Sequence, residues 1–116
     1  FHSRLMEPAA GRLEEALHAC PFQDAEIPVV SNVTAGPVRD SGKIKDLLIK
    51  QLYSPVLWED SVKNMIASGV DTFIEIGPGK VLTGLVRKID RSVRTFNISD
   101  QKSLQSTIDE LEGGKK

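Results

Sequence analysis

Cysteine, aromatic residues and long apolar runs are all scarce in this sequence of 116 residues, of which 5% are aromatic. The single cysteine, Cys20, excludes an internal disulfide framework and any metal site built from several cysteines. No apolar run approaches the roughly 18 residues that a membrane span needs. A net charge of −1 gives no overall attraction to nucleic acid or to an anionic membrane. We therefore expect at most one domain, without a nucleic-acid or membrane partner, and a reducing cytoplasm fits.

The first residues lack the features of a natural N-terminus. The sequence opens with Phe1-His2-Ser3, without an initiator methionine or a signal-peptide pattern. We therefore expect the chain to be a fragment of a longer protein.

Hydrophobic spacing and turn residues predict five helices and three strands. A helix over residues 5–20 has Pro8 in its first turn, and a short β-branched strand over residues 27–33 is predicted to be buried. A second helix carries Ile44 to Leu52, with Ser41 as its N-cap and its end near Tyr53, and a third ends at Gly69.

The clearest unit lies near the C-terminus. Residues 71–76 form a strand, Gly77-Pro78-Gly79 turns the chain, a helix over residues 81–89 follows, and residues 93–98 form a second strand. Strand, helix and strand within about 30 residues predict a βαβ unit. A last helix and a polar tail of residues 113–116, expected to be disordered, complete the chain. The fold class is α/β.

Residue patterns alone identify no complete active site. His2 and His18 have no neighbours at metal-ligand spacing, so no metal site is predicted, and ordinary solvated side chains explain both histidines. Gly77-Pro78-Gly79 matches neither a Walker loop nor a dinucleotide fingerprint, and a tight turn explains it. No serine lies in a Gly-x-Ser-x-Gly elbow, so no nucleophile is recognisable.

Four segments, in the right order, resemble malonyl-CoA:acyl carrier protein transacylases. Residues 1–10 (Phe-His-Ser-Arg-Leu-Met-Glu-Pro-Ala-Ala) resemble the stretch that carries the family's catalytic histidine. Residues 51–58 (Gln-Leu-Tyr-Ser-Pro-Val-Leu-Trp) and 75–85 (Glu-Ile-Gly-Pro-Gly-Lys-Val-Leu-Thr-Gly-Leu) resemble two later segments. Residues 27–33 fit the strand that lies between residues 1–10 and 51–58. The similarity is greatest to the stand-alone enzyme of bacterial type II fatty acid synthesis.

The resemblance implies a function and a set of residues. The family transfers malonyl from malonyl-CoA to the phosphopantetheine thiol of acyl carrier protein through a seryl acyl-enzyme, with no cofactor. His2 matches its catalytic histidine, and the backbone carbonyl of Gln51 matches the group that orients this ring. Phe1 matches a residue that goes with selectivity against an α-methyl substrate. Asn32 matches a substrate-site residue whose role stays unassigned.

The resemblance also implies what is missing. Residues 1–112 correspond to the C-terminal segment of the family's α/β-hydrolase-like large subdomain. The ferredoxin-like small subdomain and the nucleophilic serine precede that segment, so the missing N-terminal part of the enzyme is an expected partner, beside acyl carrier protein and malonyl-CoA. This chain is then expected to be inactive alone.

Two other interpretations remain open. The chain could be a fragment of a polyketide synthase acyltransferase domain that uses another extender unit, although Phe1 favours malonyl. It could also be a non-enzymatic α/β interaction module, which would need an acidic cluster or ligand loop at the strand ends. The sequence displays neither.

Overall fold

A computed structural model describes residues 1–113 of the protein. In chain order the elements are a 3-10 helix (Arg4–Ala9), α1 (Ala10–His18), β1 (Val29–Val30), β2 (Pro37–Val38), α2 (Ser41–Gln51), α3 (Trp58–Ala67), β3 (Thr72–Ile76), α4 (Val81–Ile89), β4 (Arg94–Ile98) and α5 (Gln101–Gly113). The chain divides into two compact units, Phe1–Asn64 and Met65–Lys116, with the boundary inside α3. Of the predicted tail, only Gly113 is described, as the last residue of α5, and the remainder lies outside the described residues.

The first predicted helix is divided into two parts. Arg4–Ala9 is a 3-10 helix, and only Ala10–His18 is α-helical, whereas a single helix over residues 5–20 was expected. Pro8 lies inside the 3-10 part. Proline cannot donate a backbone hydrogen bond, and its ring crowds the carbonyl four residues earlier, which opposes α-helical geometry there.

A short antiparallel hairpin connects α1 with α2. β1 pairs with β2, and Val30 lies opposite Pro37. The prediction of a buried strand over residues 27–33 is wrong in length and burial, because only two residues pair and Ile27 is 80% exposed. Pro28 and Pro37 have no N–H to donate, which limits the length of the ladder.

Asp40, and not Ser41, is the N-cap of α2. The Asp40 carboxylate accepts a hydrogen bond from the Lys43 N–H at 2.9 Å. Ser41 is the first helical residue, and its N–H donates to Asp24 Oδ1 at 2.8 Å. Two carboxylates therefore satisfy N–H groups in the first turn of α2, where helices favour negative charge.

α3 contains the most completely buried side chain and ends in a glycine turn. Val62 is fully buried. Gly69 has a φ of +105°, a conformation that side-chain-bearing residues rarely adopt, and its N–H donates to Ile66 O. The predicted glycine stop is confirmed.

The predicted βαβ unit is confirmed in the second unit. β3 and β4 are parallel, Glu75 lies opposite Asn97, and α4 connects the two strands. The Gly77 N–H extends the ladder by donating to Ile98 O at 2.9 Å. α4 packs against both strands, and α5 packs against β4. The combination of helices with a parallel strand pair makes the fold α/β, as predicted.

Much apolar surface of this unit is exposed. Ile76 in β3 is 79% exposed and Val81 in α4 is 74% exposed. Parallel strands in known proteins are usually covered on both faces. None of the helices in the described part of the chain combines the length and apolar character required to span a membrane.

Candidate active site

The carboxyl end of α2 presents backbone acceptors. The helix ends at Gln51, and Leu52 is its C-cap. The last carbonyls of a helix have no partner inside the helix. Pro55 disfavours helical geometry in the residue before it, so the chain does not continue as helix to satisfy them. The carbonyls of Gln51 and Leu52 are therefore free to bind another segment.

His2 binds both of these carbonyls. Its backbone N–H donates to Leu52 O at 2.9 Å, and its Nδ1 lies 2.9 Å from Gln51 O. A carbonyl has no proton to donate, so the hydrogen must be on Nδ1. In the neutral ring, Nε2 then carries the lone pair. Nε2 makes no hydrogen bond within residues 1–113, so it is available to take up a proton.

The backbone of His2 is in a strained conformation. Its φ is 61°, in the left-handed region that residues with a side chain seldom occupy. Strain of this kind persists only where surrounding contacts impose it, and such positions concentrate at functional sites. Here the two hydrogen bonds to the end of α2 are those contacts. They leave the His2 side chain exposed.

The other two predicted site residues are less constrained. Phe1 precedes His2 and is 86% exposed. Asn32 lies in the turn of the β1–β2 hairpin, and its backbone carbonyl accepts a hydrogen bond from the Leu57 N–H at 2.9 Å. The structure thus brings His2 and Gln51 into contact. The Asn32 amide is not hydrogen-bonded to either of them within the described residues, and the Phe1 ring has no hydrogen-bonding group.

The residue after Leu57, which binds Asn32 O, has a buried hydrogen-bond donor. Trp58, which follows Leu57, has an indole N–H that is shielded from solvent and has no acceptor within residues 1–113. Unpaired buried donors are rare in native proteins because each costs about 1–3 kcal/mol.

A second polar constellation lies at the carboxyl ends of β3 and β4. Glu75 Oε1 accepts hydrogen bonds from the Thr83 N–H at 2.9 Å, the Thr83 hydroxyl at 2.8 Å and Asn97 Nδ2 at 3.1 Å. Glu75 Oε2 accepts from the Leu82 N–H at 3.3 Å. These bonds, led by the Thr83 N–H, lower the pKa of Glu75 below its ordinary 4.5. The carboxylate thus binds the first turn of α4.

The segment Gly77-Pro78-Gly79 is a tight turn and not a phosphate-binding loop. Gly77 and Gly79 have φ values of +132° and +85°, which favour glycine, so a tight strand-to-helix turn is what these glycines form. A phosphate at a helix start would need free N–H groups there. Glu75 already occupies two of them, those of Leu82 and Thr83.

Sequence patterns did not indicate the Leu52 carbonyl or the Glu75 constellation. A backbone acceptor has no side-chain signature, so nothing in the sequence marks Leu52. Glu75 did leave a signal, because it is the only charged residue in the strand Thr-Phe-Ile-Glu-Ile. Within residues 1–113, no group of three or more His, Cys, Asp or Glu residues is arranged to hold a metal ion.

An α/β chain whose histidine is bound through one ring nitrogen and free at the other has the arrangement used for proton transfer in acyl-transfer enzymes.

No protein-family profile matches the chain. It is 52% identical over 111 residues to the malonyl CoA-acyl carrier protein transacylase of Bacillus subtilis, covering 96% of this chain. The crystal structure of that enzyme type from Clostridium perfringens matches with a TM-score of 0.91 and 41% identity, over 99% of this chain and 36% of the other.

A third match is a complex described as a type II polyketide acyl carrier protein with its malonyl-transacylase. It has a TM-score of 0.88 and 36% identity, over 94% of this chain and 35% of that one. By sequence and by fold, the chain belongs with the malonyl CoA-acyl carrier protein transacylases, as a counterpart of their C-terminal part. It spans 35% of the length of the B. subtilis relative.

Proposed function

We propose that this chain supplies the general base of a malonyl transfer. In the complete enzyme, malonyl passes from malonyl-CoA to a serine and then to the phosphopantetheine thiol of acyl carrier protein. The observation that carries the proposal is the imidazole of His2, bound to Gln51 O at 2.9 Å through Nδ1. The 52% identity with a malonyl CoA-acyl carrier protein transacylase supports the choice of reaction.

The first half-reaction begins at Nε2 of His2. This nitrogen takes the proton of the serine hydroxyl while the serine oxygen forms a bond to the thioester carbonyl carbon. The tetrahedral intermediate then expels the CoA sulfur, which receives the proton from Nε2, and the malonyl-serine ester remains. A positioned base of this kind contributes about 10²- to 10⁴-fold to a rate.

The second half-reaction runs through the same nitrogen. Nε2 takes the proton of the carrier thiol as its sulfur attacks the malonyl-serine ester. The serine oxygen leaves and recovers the proton, so His2 and the serine return to their starting states. These steps use only enzyme, malonyl-CoA and carrier groups, so the proposal requires no cofactor.

Gln51 O would serve in place of the carboxylate found in many serine triads. As an acceptor for Nδ1–H, it holds the ring in one tautomer and one orientation, which is the main service of the third triad member. Because the Gln51 acceptor is a backbone atom, the side chain is not needed for this role.

Phe1 and Asn32 are the proposed substrate-side residues. The Phe1 ring is 86% exposed in this chain, so it is free to line a pocket next to His2. There it would occupy the space of an α-methyl group and favour malonyl over methylmalonyl. Asn32 is half-exposed beside the Leu57 contact, and we place it near the substrate without a specific role.

The nucleophile and most of the pocket would come from the remainder of the enzyme. The sequence contains no Gly-x-Ser-x-Gly elbow, and the chain spans 35% of the B. subtilis relative. A base without its nucleophile forms no acyl-enzyme. We therefore propose that the isolated chain is inactive and that its partners are the N-terminal part of the enzyme, malonyl-CoA and acyl carrier protein. The solved carrier complex of a 36% identical transacylase supports the last of these.

Radiolabelled malonyl-CoA tests the proposal. The chain is incubated with it alone and then together with the separately produced N-terminal part. We expect covalent label only in the mixture, on the N-terminal part, and strongly slowed labelling when the chain carries His2→Ala. Stable label on this chain itself would overturn the proposal, as would full labelling with His2→Ala.

A further inference from the structure

Two groups of contacts attach the α1 segment to α2, one at each side of α1. Before α1, His2 donates to Leu52 O and to Gln51 O. After α1, Lys45 Nζ donates to Cys20 O at 3.0 Å. The same ammonium group lies 4.8 Å from the centre of the Phe22 ring. Since α1 itself packs against α2, the segment from His2 to Phe22 is attached to α2 at both ends and through α1.

Lys45 differs from the other lysines of α2. It is half-buried, whereas Lys43 and Lys50 are exposed, and neither of their ammonium groups makes a hydrogen bond or ion pair within residues 1–113. Ordering a lysine side chain costs up to about 2 kcal/mol of rotamer entropy. A charged hydrogen bond together with an aromatic face can offset that cost, so the contact is a defined one.

Neighbouring bonds make the segment after α1 a firm anchor for Lys45. The Cys20 N–H donates to Leu17 O at 3.1 Å, which ties Cys20 to the end of α1. Further along, the Ala25 N–H donates to Arg39 O at 2.8 Å, just before α2 begins. Lys45 therefore binds a segment that is continuous with α1 and fixed on its far side.

The two groups of contacts meet α2 at separate points along the helix, so together they can fix the position of the His2 ring. Lys45 and Gln51 are six positions apart, or roughly 9 Å along the helix axis. The bonds of Asp24 and Ala25 hold the later part of the α1–α2 connection near the start of α2, whereas Lys45 joins α2 directly to Cys20 beside the end of α1. A misplacement of about 1 Å at a catalytic group can cost on the order of 10²-fold in rate. The Lys45 contact opposes such misplacement and so limits where the His2 ring can meet Gln51 O.

We propose that Lys45 is a positioning residue for His2, acting through Cys20, Phe22 and the length of α1. By fixing α1 along α2, it keeps Nδ1 of His2 on Gln51 O and keeps Nε2 free. The consequence for catalysis rests on the proposed function of His2 as the base. The effect of Lys45 on the contact between His2 Nδ1 and Gln51 O does not depend on that function, and it is measured separately.

Nitrogen-15 NMR of the imidazole rings tests the structural part on this chain. The sequence has two histidines, so His2 and His18 give two assignable ring systems. The ratio of Nδ1–H to Nε2–H tautomer at His2 reports how fully the bond to Gln51 O is formed. We expect Lys45→Met to lower that ratio about three- to tenfold, the weight of roughly one hydrogen bond on an equilibrium. Lys45→Arg should restore it, since a guanidinium also donates to a carbonyl and stacks on a ring.

Matched variants separate positioning from general damage. Lys43→Met removes an exposed lysine of the same helix and should leave the His2 ratio unchanged, and His18 should not respond to any variant. Phe22→Leu keeps the hydrogen bond to Cys20 O and should give a smaller shift than Lys45→Met. If Lys45→Met unfolds the chain, the folded Phe22→Leu variant decides. An unchanged His2 ratio in a folded Lys45→Met or Phe22→Leu chain overturns the proposal.

Kinetics of the complete enzyme test the catalytic consequence. Lys45→Met should lower kcat about three- to tenfold with little change in KM for malonyl-CoA, and Lys45→Arg should recover kcat. A changed tautomer ratio with unchanged kcat would support the positioning contact and contradict the role of His2 as the base. A lowered kcat with an unchanged tautomer ratio would contradict the positioning contact.

Discussion

The two units of the chain use their polar groups in opposite ways. In Phe1–Asn64, His2 has one ring nitrogen bound to Gln51 O and the other free of hydrogen bonds within the described residues. In Met65–Lys116, Glu75 accepts four hydrogen bonds from Leu82, Thr83 and Asn97. Both are ionisable side chains that bind backbone groups at a helix end, a carbonyl at the end of α2 for His2 and N–H groups in the first turn of α4 for Glu75. They differ in that both carboxylate oxygens of Glu75 accept hydrogen bonds, whereas Nε2 of His2 makes none within the described residues.

This difference indicates which polar clusters serve chemistry and which serve stability. A carboxylate that accepts several hydrogen bonds weakens them when it is protonated, so its charged form supports the structure around it. A group bound on one side and free on the other is oriented and still reactive. We therefore expect a chemical role for His2 and a structural role for Glu75, and variants of each residue test this expectation.

The largest effect is expected at His2. His2→Ala should lower malonyl transfer by the complete enzyme about 10²- to 10⁴-fold, because the proposed general base is lost. Gln51→Ala should be much milder, because its acceptor is a backbone carbonyl that survives the substitution. Steady-state kinetics of both variants provide the comparison.

Thermal melting of the same variants is the control. His2→Ala removes one exposed hydrogen bond while the backbone bond to Leu52 O remains, so it should lower the melting temperature only slightly. A loss at Gln51→Ala as large as that at His2→Ala would contradict the backbone-carbonyl role. Strong destabilisation by His2→Ala would contradict the division between a reactive and a structural unit.

A smaller effect is expected at Phe1, in the ratio of two substrates. Phe1→Ser should raise kcat/KM for methylmalonyl-CoA relative to malonyl-CoA by about 10- to 200-fold at most, the usual worth of one methyl group in an apolar pocket. Activity should persist, because His2 is unchanged. The measurement is a competition assay with both thioesters on the parent and the variant. An unchanged ratio in an active variant would mean that Phe1 is a packing residue only.

The two units also differ in how well local sequence predicted them. The βαβ unit of the second was predicted within one or two residues, because β3, α4 and β4 have regular hydrophobic spacing and glycines at the turn. In the first unit, Pro8 and Pro28 changed the predicted helix and strand by removing backbone donors, and Asp40 replaced Ser41 as the cap. These outcomes depend on which donors find partners, which periodicity does not encode.

The candidate site was predictable only in part. The resemblance to known acyltransferases pointed to His2 and to the Gln51 carbonyl, and the structure places these two groups 2.9 Å apart. Two other contacts have no local sequence signature: the bond from the His2 N–H to Leu52 O and the bond from Lys45 Nζ to Cys20 O. Each joins residues that are far apart in sequence. The catalytic roles of His2, the Gln51 carbonyl and Lys45 stay predictions.

The smallest expected effect concerns acid stability and Glu75. Its pKa is lowered below the ordinary 4.5, first by the N–H of Thr83, then by its hydroxyl, and further by Leu82 and Asn97. A carboxyl whose pKa is lower in the folded state stabilises the fold above the unfolded-state pKa, and this contribution is lost as the pH falls through the folded-state value. The stabilisation from Glu75 should therefore be complete at pH 7 and should decline below about pH 4.5.

Glu75→Gln isolates this contribution. The amide keeps the size of the side chain but loses the charge, and one of its terminal atoms becomes a donor facing the N–H groups of α4. We expect a lower melting temperature than the parent at pH 7 and a difference that narrows as the pH falls below 4.5, because the parent then loses its own charge at this position. Melting curves between pH 3 and pH 7 measure it, with Glu26→Gln, an exposed carboxylate outside the constellation, as the matched control. If the difference in melting temperature between the parent and Glu75→Gln stays constant over this pH range, the charge of Glu75 does not stabilise α4. The second unit would then rest on packing and its strand ladder alone, and the contrast with His2 would lose its electrostatic basis.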